Sequence, residues 1–319
     1  MTMLPAGFSS SGEVRIDRRY RWASASLAAG EAPEAREILE GIVSDAPLWA
    51  PAWKLYADAL RSLGERAAAR GAYEEAARLD LAGALGADLD LARLGARELE
   101  RAMSPGYVAA LFDDYADRFD SHLTQVLQYR GPEHILAALR KVCAPSGREL
   151  RFRSALDLGC GTGLMGEAIR PFVHLLAGVD LSPGMIAKAR AKLVYQQLAV
   201  GGAVEALRAE PQAGLDLVLA ADVLVYLADL TPLFAAAAAA LEPSGLLAFT
   251  VQSCAEDAAP ASYLLGSDNR FAHSDGHIRA VAAAQGLAVQ LLERVAPGCR
   301  PRRSGRSRRA RSASRLAPE

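Results

Sequence analysis

The chain has few cysteines and no long apolar run, and each shortage excludes a class of protein. Its four cysteines stand at positions 143, 160, 254 and 299, and no two form a CxxC pair. No histidine cluster accompanies them, so the sequence predicts neither a disulfide framework nor a zinc or other metal site. No stretch approaches the roughly 18 uninterrupted apolar residues of a membrane-spanning helix. The N-terminus also lacks a basic region followed by an apolar core, so we expect a cytoplasmic protein without a membrane partner.

Net charge is low overall but unevenly distributed. The formal net charge of the chain is −1. Residues 300–319 hold eight arginines and one acid, a net charge of +7, which leaves −8 on residues 1–299. A basic segment can bind nucleic acid. This one mixes Arg, Ser, Pro and Gly without an apolar period, so the sequence predicts a basic disordered tail over residues 297–319.

Residues 21–103 carry a helical repeat. The same 34-residue spacing separates four pairs of positions: Gly30 and Gly64, Ala35 and Ala69, Leu39 and Tyr73, and Ile42 and Ala76. This is the tetratricopeptide period, in which each repeat is a pair of helices. Two copies are fewer than the three or so that a solenoid needs, so we expect a capping helix around residues 85–102. A plain amphipathic helical hairpin is the alternative, and residues 1–20 are predicted to be poorly ordered.

A glycine-rich turn follows the first apolar strand of the next segment. The strand in residues 153–158 contains Asp157 and leads into glycines at positions 159, 161 and 163. Glycine lets the backbone turn sharply and approach a ligand closely. A second apolar run, residues 174–180, ends in Asp180, and the spacing leaves room for one helix between the two strands. A carboxylate at that strand end can accept hydrogen bonds from both hydroxyls of a ribose.

The rest of the segment alternates strands with helices. Further apolar strands are predicted near 198–200, 215–220, 246–251 and 287–295, with helices over 132–139, 233–241 and 277–285. Such alternation implies right-handed crossovers and a parallel sheet, with ligands at the carboxyl ends of the strands. We therefore predict an α/β domain over residues 104–296. It has a Rossmann-like, mostly parallel sheet with helices on both faces, preceded by an all-α tetratricopeptide-like domain.

Four motifs in order resemble class I S-adenosylmethionine-dependent methyltransferases, most of all bacterial predicted methyltransferases with N-terminal tetratricopeptide repeats. They are the aromatic stretch Phe112–Asp120, the strand and turn Leu156–Gly163, the segment Gly178–Met185 and the strand Leu215–Asp222. The resemblance implies that the glycine turn wraps the methionine part of S-adenosylmethionine, and that Asp180 holds its ribose. It also implies that Asp157 orients the turn and meets the ammonium group. The cofactor-binding residues implied in this way are Tyr115, Phe119, Asp157, Gly159, Gly161, Gly163, Asp180, Leu181, Met185 and Asp222.

The charges around the turn favour this cofactor over a dinucleotide. S-adenosylmethionine has no phosphate to neutralise, and the turn contains no Lys or Arg. The residues Gly161-x-Gly163-x-x-Gly166 also satisfy the dinucleotide fingerprint, so an NAD-dependent oxidoreductase is one alternative. A repeat-based interaction protein whose methyltransferase-like domain is inactive is the other.

The methyl acceptor is a small molecule or a protein docked by the repeats. His273 lies in a region that often covers the acceptor in such enzymes, so it is a candidate catalytic base, with Asp222 and Tyr226 as alternatives. The residues after the fourth strand are not of the Asn/Asp-Pro-Pro-Tyr/Phe type that acts on base amines. There is also no ordered basic groove, and we therefore do not expect DNA as the substrate.

Two departures from the family pattern bear on activity. Gly201 and Gly202 follow the third strand where many relatives have an acid that meets the adenine amino group, and Glu205 or Glu210 is a candidate replacement. The final antiparallel strand of class I enzymes is missing. The pattern is lost abruptly at the arginine-rich tail, which suggests the hypothesis of a reading-frame shift near Ala296.

Overall fold

The computed structural model describes residue 8 and residues 10–117, 119–121, 129–209, 214–255 and 263–295. The predicted tail 297–319, the hypothetical frame shift near Ala296 and the candidate acid Glu210 lie outside these residues. Among the helices described, none is long and apolar enough to cross a membrane.

The described residues form helices first and then alternating strands and helices. The helices are α1 (Val14–Ala28), α2 (Ala32–Asp45), α3 (Ala50–Ser62), α4 (Arg66–Leu79), α5 (Ala87–Arg93), α6 (Pro105–Tyr115), α7 (Phe119–Ser121), α8 (Gly131–Cys143), α9 (Leu164–Ile169), α10 (Pro183–Ala191), α11 (Ala203–Ala209), α12 (Thr231–Ala240) and α13 (Asp275–Ala284). The strands are β1 (Phe152–Leu158), β2 (Val173–Asp180), β3 (Gln197–Val200), β4 (Leu215–Ala220), β5 (Leu241–Phe249), β6 (Gln252–Ser253), β7 (Tyr263–Leu265) and β8 (Phe271–His273).

The first four helices pack in sequence around small side chains. Gly30 and Gly64, one repeat period apart, follow α1 and α3 with φ angles of 89° and 80°, which favour glycine. Buried alanines let α3 and α4 approach closely, and the hydroxyl of Tyr73 donates to Asp58 at 2.6 Å. Because α1 begins at Val14, residues 14–20 are helical, and the expectation of poor order up to residue 20 is wrong there. The assignment of these helices to tetratricopeptide repeats stays a prediction.

The capping helix predicted around residues 85–102 is not one continuous helix. This region contains α5 and a separate helical turn, Leu99–Arg101. Gly86 precedes α5 with a φ of 72°, and Gly95 follows it with a φ of 74°, so the chain turns at both ends of this helix.

The predicted fold class is confirmed. Within the described residues β1 to β5 form a parallel sheet in the order β3-β2-β1-β4-β5. One hydrophobic cluster joins α12 and α13 to the sheet, and a second joins α8 and α9 to it, so both faces are covered. Strand β4 lies near the middle, and all six of its residues are buried, as expected for a parallel strand between two helical layers.

Two predicted details of the last third of the chain are wrong. The strand predicted near 246–251 begins at Leu241 and ends at Phe249, and β5 absorbs the extra residues as a shift in register opposite Leu215 and Leu217. Residues 287–295 do not form a strand. Leu287, Val289 and Leu292 pack their side chains against the main cluster without pairing their backbone with the sheet. Apolar alternation predicts the buried face of a segment but not a hydrogen-bonded partner.

A small second sheet, in the order β6-β8-β7, connects the helical segment to the main domain. Phe271 and Tyr263 from this sheet share a buried cluster with Leu89 and Ala102. Arg93 of α5 donates to the carbonyl of Gly266 at 2.7 Å and to the side chain of Asn269 at 2.6 Å. The turn between β7 and β8 is therefore tied to the N-terminal helices.

Candidate functional site

A cavity of about 590 Å³ lies at the carboxyl ends of the parallel strands. This is the edge at which open parallel sheets bind ligands. The volume is within the range of roughly 300–1,000 Å³ that holds a small ligand. Four chain segments that follow β1, β2, β3 and β4 line it: Gly159–Thr162, Asp180–Leu181, Gly201–Glu205 and Ala221–Val223.

The glycine turn after β1 has the backbone geometry that the sequence predicts. Gly159, Gly161 and Gly163 have φ angles of 57°, 53° and 93°, a region that residues with a Cβ rarely adopt. A Cβ on Gly159 would lie 2.5 Å from Cγ2 of Val223, so this position also has no room for a side chain. Cys160, inside the turn, is buried, and burial raises the pKa of its thiol. This agrees with a space-filling role.

Asp180 connects the glycine turn to β2. Its Oδ2 accepts a hydrogen bond from the backbone N–H of Gly161, and its Oδ1 accepts one from the N–H of Ser182, each at 2.9 Å. Burial raises the pKa of this carboxyl, and the two N–H donors oppose that effect. The side chain lines the cavity, at the end of the strand next to the turn.

Asp157 lies beneath the turn, and the described residues that line the cavity do not include it. It is 1% exposed, and its Oδ2 accepts a hydrogen bond from the hydroxyl of Tyr195 at 2.7 Å. Burial raises the pKa of Asp157 to about 7, with the nearby Asp180 adding to the effect. Met185 is likewise fully buried away from the cavity, whereas Leu181 lines it.

Aromatic side chains of α6 and α7 cover one side of the cavity. Tyr115 and Phe119 line it, and their ring centroids are 5.3 Å apart in an edge-to-face arrangement. Two carboxylates beside these rings hold α6 against the start of α10 and α7 against the glycine turn. Asp113 accepts hydrogen bonds from the Ser182 hydroxyl and, at 2.9 Å, from the Gly184 N–H. Asp120 of α7 accepts one from the Thr162 hydroxyl.

The other side of the cavity is built around Asp222, which follows β4. Its φ of 60° is unusual for a residue with a side chain, although Asp tolerates this region better than most. Its backbone N–H donates to Oγ1 of Thr250 at 2.8 Å, and the Thr250 hydroxyl donates back to Oδ1 at 3.2 Å. The guanidinium of Arg270 lies 4.0 Å from Oδ2 of Asp222 and 5.9 Å from the ring centroid of Tyr226.

The structure does not bring His273 to the cavity. Its side chain is fully buried in β8, and Nε2 lies 3.0 Å from the carbonyl oxygen of Leu227. Burial and, to a smaller extent, the neighbouring His277 lower the pKa of His273 to about 4. A catalytic base must reach the acceptor, so in this conformation Asp222 and Tyr226 are better placed than His273.

Several residues of the site carried no recognisable motif in the sequence. Tyr129 and Arg270 line the cavity, and Thr250 holds Asp222 in place. Burial raises the pKa of the Tyr129 hydroxyl, as do the charges of Asp222 and Asp157. Glu205, one of the two candidate acids after β3, lines the cavity. A Cβ on Gly202 would lie only 2.1 Å from Oε2 of Glu205. The sequence indicated Glu205 only indirectly, as an acid near residues 201–202, where related enzymes have an acid and this chain has glycines.

The residues present fit S-adenosylmethionine. Among the described residues that line the cavity, three are acids, Asp180, Glu205 and Asp222, and Arg270 is the one cation. Arg270 lies beside Asp222. Lys192 passes beside Gly163 behind the turn, and its ammonium is paired with Asp120 and Glu167. A site of this kind suits a ligand with a ribose, an apolar base and positive charge better than one with a pyrophosphate.

Comparison with known proteins agrees with this chemistry. Residues 156–249 match a family model described as a methyltransferase domain. The ubiquinone biosynthesis O-methyltransferase of Methylobacterium nodulans is 30% identical over 155 residues, which are 44% of this chain and 62% of that protein. Its namesake from Xanthomonas euvesicatoria is 30% identical over 119 residues, 36% of this chain and 50% of that protein. The chain thus spans between half and two thirds of the length of these relatives.

A similar solved structure is the magnesium protoporphyrin IX methyltransferase of Synechocystis PCC 6803. It is 15% identical, with a TM-score of 0.44 over 57% of this chain and 88% of that one. The parallel sheet confirms the predicted fold class, and the match of residues 156–249 to a methyltransferase domain agrees with the resemblance seen in the motifs.

Proposed function

We propose that the chain transfers a methyl group from S-adenosylmethionine to a small-molecule acceptor. The observation that carries the proposal is the contact between the glycine turn and Asp180. At the edge of the cavity, the backbone N–H of Gly161 donates a hydrogen bond to the Asp180 carboxylate. The match of residues 156–249 to a methyltransferase domain supports the same reading. When bound, S-adenosylmethionine supplies a methyl group activated by its sulfonium.

We assign the cofactor to the wall formed by the turn, Asp180–Leu181 and Gly201–Glu205, and call it the cofactor wall. Asp180 is placed to accept from the ribose hydroxyls, and Leu181 to contact the adenine. Glu205 is the acid available to the adenine amino group. Tyr115 and Phe119 of α6 and α7 exclude water from the same end.

We assign the acceptor to the opposite wall, formed by Asp222, Tyr226 and Arg270, and call it the acceptor wall. Methyl transfer is an in-line displacement, so the protein mainly aligns the nucleophile and takes up its proton. Asp222 is about 40% exposed and held by Thr250, so its carboxylate is available to a hydroxyl of the acceptor. Tyr226 is the second candidate for positioning that hydroxyl.

The acceptor that fits this wall has an apolar body and a hydroxyl group. Val108, Leu111, Phe112 and Leu227 line the cavity, and Phe112 packs edge-to-face on Tyr226 with the ring centroids 5.5 Å apart. The relatives named for O-methyl transfer in ubiquinone biosynthesis support an oxygen nucleophile. The N-terminal helices, proposed as tetratricopeptide-like, are the surface on which a protein partner would dock.

Retention of tritiated cofactor on the full chain tests the proposal without knowledge of the acceptor. We expect filter-bound S-adenosyl[methyl-³H]methionine to be displaced by unlabelled S-adenosylhomocysteine and not by NAD. Displacement by NAD would favour the oxidoreductase alternative. No retention at all would favour an inactive domain. Transfer of the tritiated methyl group to members of a panel of catechol-type and phenolic compounds would then identify the acceptor class.

A further inference from the structure

Behind the glycine turn, the ring of Tyr195 fills a space that three glycines leave open. A Cβ on Gly166 would lie 2.2 Å from the Tyr195 hydroxyl, and one on Gly178 would lie 2.9 Å from Cε1 of the ring. A Cβ on Gly163 would lie 3.2 Å from Cε2. These glycines come from the turn, from α9 and from β2. Each of these elements therefore leaves room for the same tyrosine.

The hydroxyl of Tyr195 is directed at the acid that precedes the turn. It donates to Oδ2 of Asp157 at 2.7 Å, while Oδ1 of Asp157 has no hydrogen-bond partner among the described residues. The next residue, Gln196, fixes the tyrosine to β2. Its N–H donates to the Leu176 carbonyl at 2.9 Å, and its side-chain oxygen accepts from the Leu176 N–H at 2.7 Å.

We propose that Tyr195 is a positioning residue for the cofactor: it supports the glycine turn from behind and holds the Asp157 carboxylate toward the methionine end of the site. The inference rests on the proposed function. Tyr195 is not among the described residues that line the cavity, so it acts through the turn and through Asp157. Its hydroxyl stabilises the ionised carboxylate, which burial otherwise disfavours.

Four titratable groups face Asp157 and bear on its ionisation. They are Tyr195 after α10, Asp180 at the end of β2, Cys160 in the turn and Tyr129 before α8. Tyr195 is the one whose hydrogen bond to Asp157 favours the charged form. Its removal should therefore raise the pH at which Asp157 ionises, and with it the pH at which a ligand carrying an ammonium group binds tightly.

The first test is the affinity of the full chain for S-adenosylhomocysteine between pH 5.5 and 9, measured by calorimetry. Tyr195→Phe is expected to weaken binding about tenfold near pH 7 and to move the midpoint of the pH profile upward. Tyr20→Phe, another half-buried tyrosine in the N-terminal helices, is the matched control and should change neither. A loss that is equal at every pH, or no loss, would overturn the inference.

A double-mutant cycle tests the steric part independently of pH. Gly166→Ala should weaken binding in the wild-type background because the new methyl group meets Tyr195. In a Tyr195→Leu background the same substitution should cost much less, since the longer side chain is gone. Additive effects would contradict the packing role. If wild-type protein binds no S-adenosylhomocysteine at any pH, the proposed function fails; if it binds and the Tyr195 variants behave as the control, only this inference fails.

Discussion

The cofactor wall and the acceptor wall of the cavity are built differently. On the cofactor wall, Asp180 is 9% exposed and both of its oxygens accept backbone hydrogen bonds. On the acceptor wall, the side chains of Asp222 and Arg270 are each 40% exposed and only 4.0 Å apart. The backbone therefore fixes the orientation of the Asp180 carboxylate. A wall with exposed charge leaves capacity for groups that the ligand brings.

The two walls also differ in what supports them. The turn of the cofactor wall rests on Tyr195 and is tied to α7 through Asp120, while Asp113 ties α6 to Ser182 at the start of α10. The acceptor wall rests on Thr250 and on the turn before β8, which Arg93 of the N-terminal helices holds. The helical segment therefore contacts the acceptor side through the small sheet. Changes in that segment should affect the acceptor more than the cofactor.

The largest expected effect is that of Asp180→Asn on the cofactor wall. Loss of the negative charge weakens the closure of the turn and removes a charged acceptor for the ribose. Hydrogen bonds to charged groups contribute about 1.5–3 kcal/mol each, so we expect the affinity for S-adenosylhomocysteine to fall about 100-fold. Calorimetry measures this, and Asp45→Asn on the surface of α2 is the control. A loss below threefold would remove Asp180 from the binding site.

Gly159→Ala should be the most destabilising substitution in the turn. The new Cβ combines an unfavourable φ of 57° with a contact of 2.5 Å to Val223. We expect a loss of about 3 kcal/mol in the free energy of unfolding. Gly161→Ala has a similar φ but meets Phe119 only at 3.8 Å, so it should cost about 1–2 kcal/mol.

Gly71→Ala provides the matched control in urea unfolding. Gly71 lies inside α4 with open space around it, so the substitution should stabilise the chain by up to about 1 kcal/mol. If Gly159→Ala and Gly161→Ala destabilise the protein equally, the contact with Val223 has no energetic weight. The backbone conformation alone would then explain the two glycines.

Ionisation of Asp157 should lower the free energy of unfolding as the pH rises. Its pKa is raised from 3.8 to about 7 in the folded state, so the folded chain holds more protons than the unfolded chain between these values. Stability from this group is present below pH 3.8 and is lost as the pH rises to about 7. Asp157→Asn cannot ionise, so its unfolding free energy, measured in urea, should fall less over this range. Parallel curves for the two proteins would contradict the raised pKa.

His273 provides the opposite case, because burial lowers its pKa from 6.5 to about 4. The unfolded chain then holds more protons in this interval, so stability is present above pH 6.5 and is lost as the pH falls to about 4. His273→Gln should weaken this acid sensitivity in urea unfolding. Turnover of the His273→Gln variant on any acceptor found tests the predicted role of His273 as a base. Unchanged turnover with intact cofactor affinity would exclude His273 from catalysis.

The smallest effect on cofactor affinity is expected from Asp222→Asn on the acceptor wall. Asn tolerates the positive φ of this position, so the backbone should be kept. We expect the affinity for S-adenosylhomocysteine to change less than threefold, while methyl transfer falls at least about tenfold through loss of a proton acceptor. If Asp222→Asn reduces cofactor affinity as much as Asp180→Asn, the division into two walls is wrong.

Local signals predicted the geometry of the glycine turn better than the residues that surround Asp222. Glycines at alternate positions after an apolar strand constrain the backbone directly, and the φ angles of Gly159, Gly161 and Gly163 follow from them. The fold class was predictable for the same reason, since strand and helix periods are local. Arg270 and Tyr129 come from distant parts of the chain, and only the tertiary fold brings them to the cavity and Thr250 to Asp222.

The errors have a related cause. His273 lies in the expected region of the chain, but all three residues of β8 are buried, and this side chain lies next to the Leu227 carbonyl. Residues 287–295 have the apolar content of a strand, but strand formation also needs a free edge in register. Tyr195 carried no motif. Its proposed role depends on Gly166 and Gly178, which leave room for the ring. The sequence does not show that these two glycines and Tyr195 are neighbours in the fold.

Equilibrium binding of S-adenosylhomocysteine to the full-length chain is the most direct test of the proposed function. At a ligand concentration 100 times the dissociation constant, binding should stabilise the fold by about 2.7 kcal/mol, visible as a rise in the unfolding temperature. We predict this rise for the wild-type protein and for Asp222→Asn, a reduced rise for Asp180→Asn, and none with NAD. A rise with NAD but not with S-adenosylhomocysteine would contradict the assignment of the glycine turn to the methyl donor.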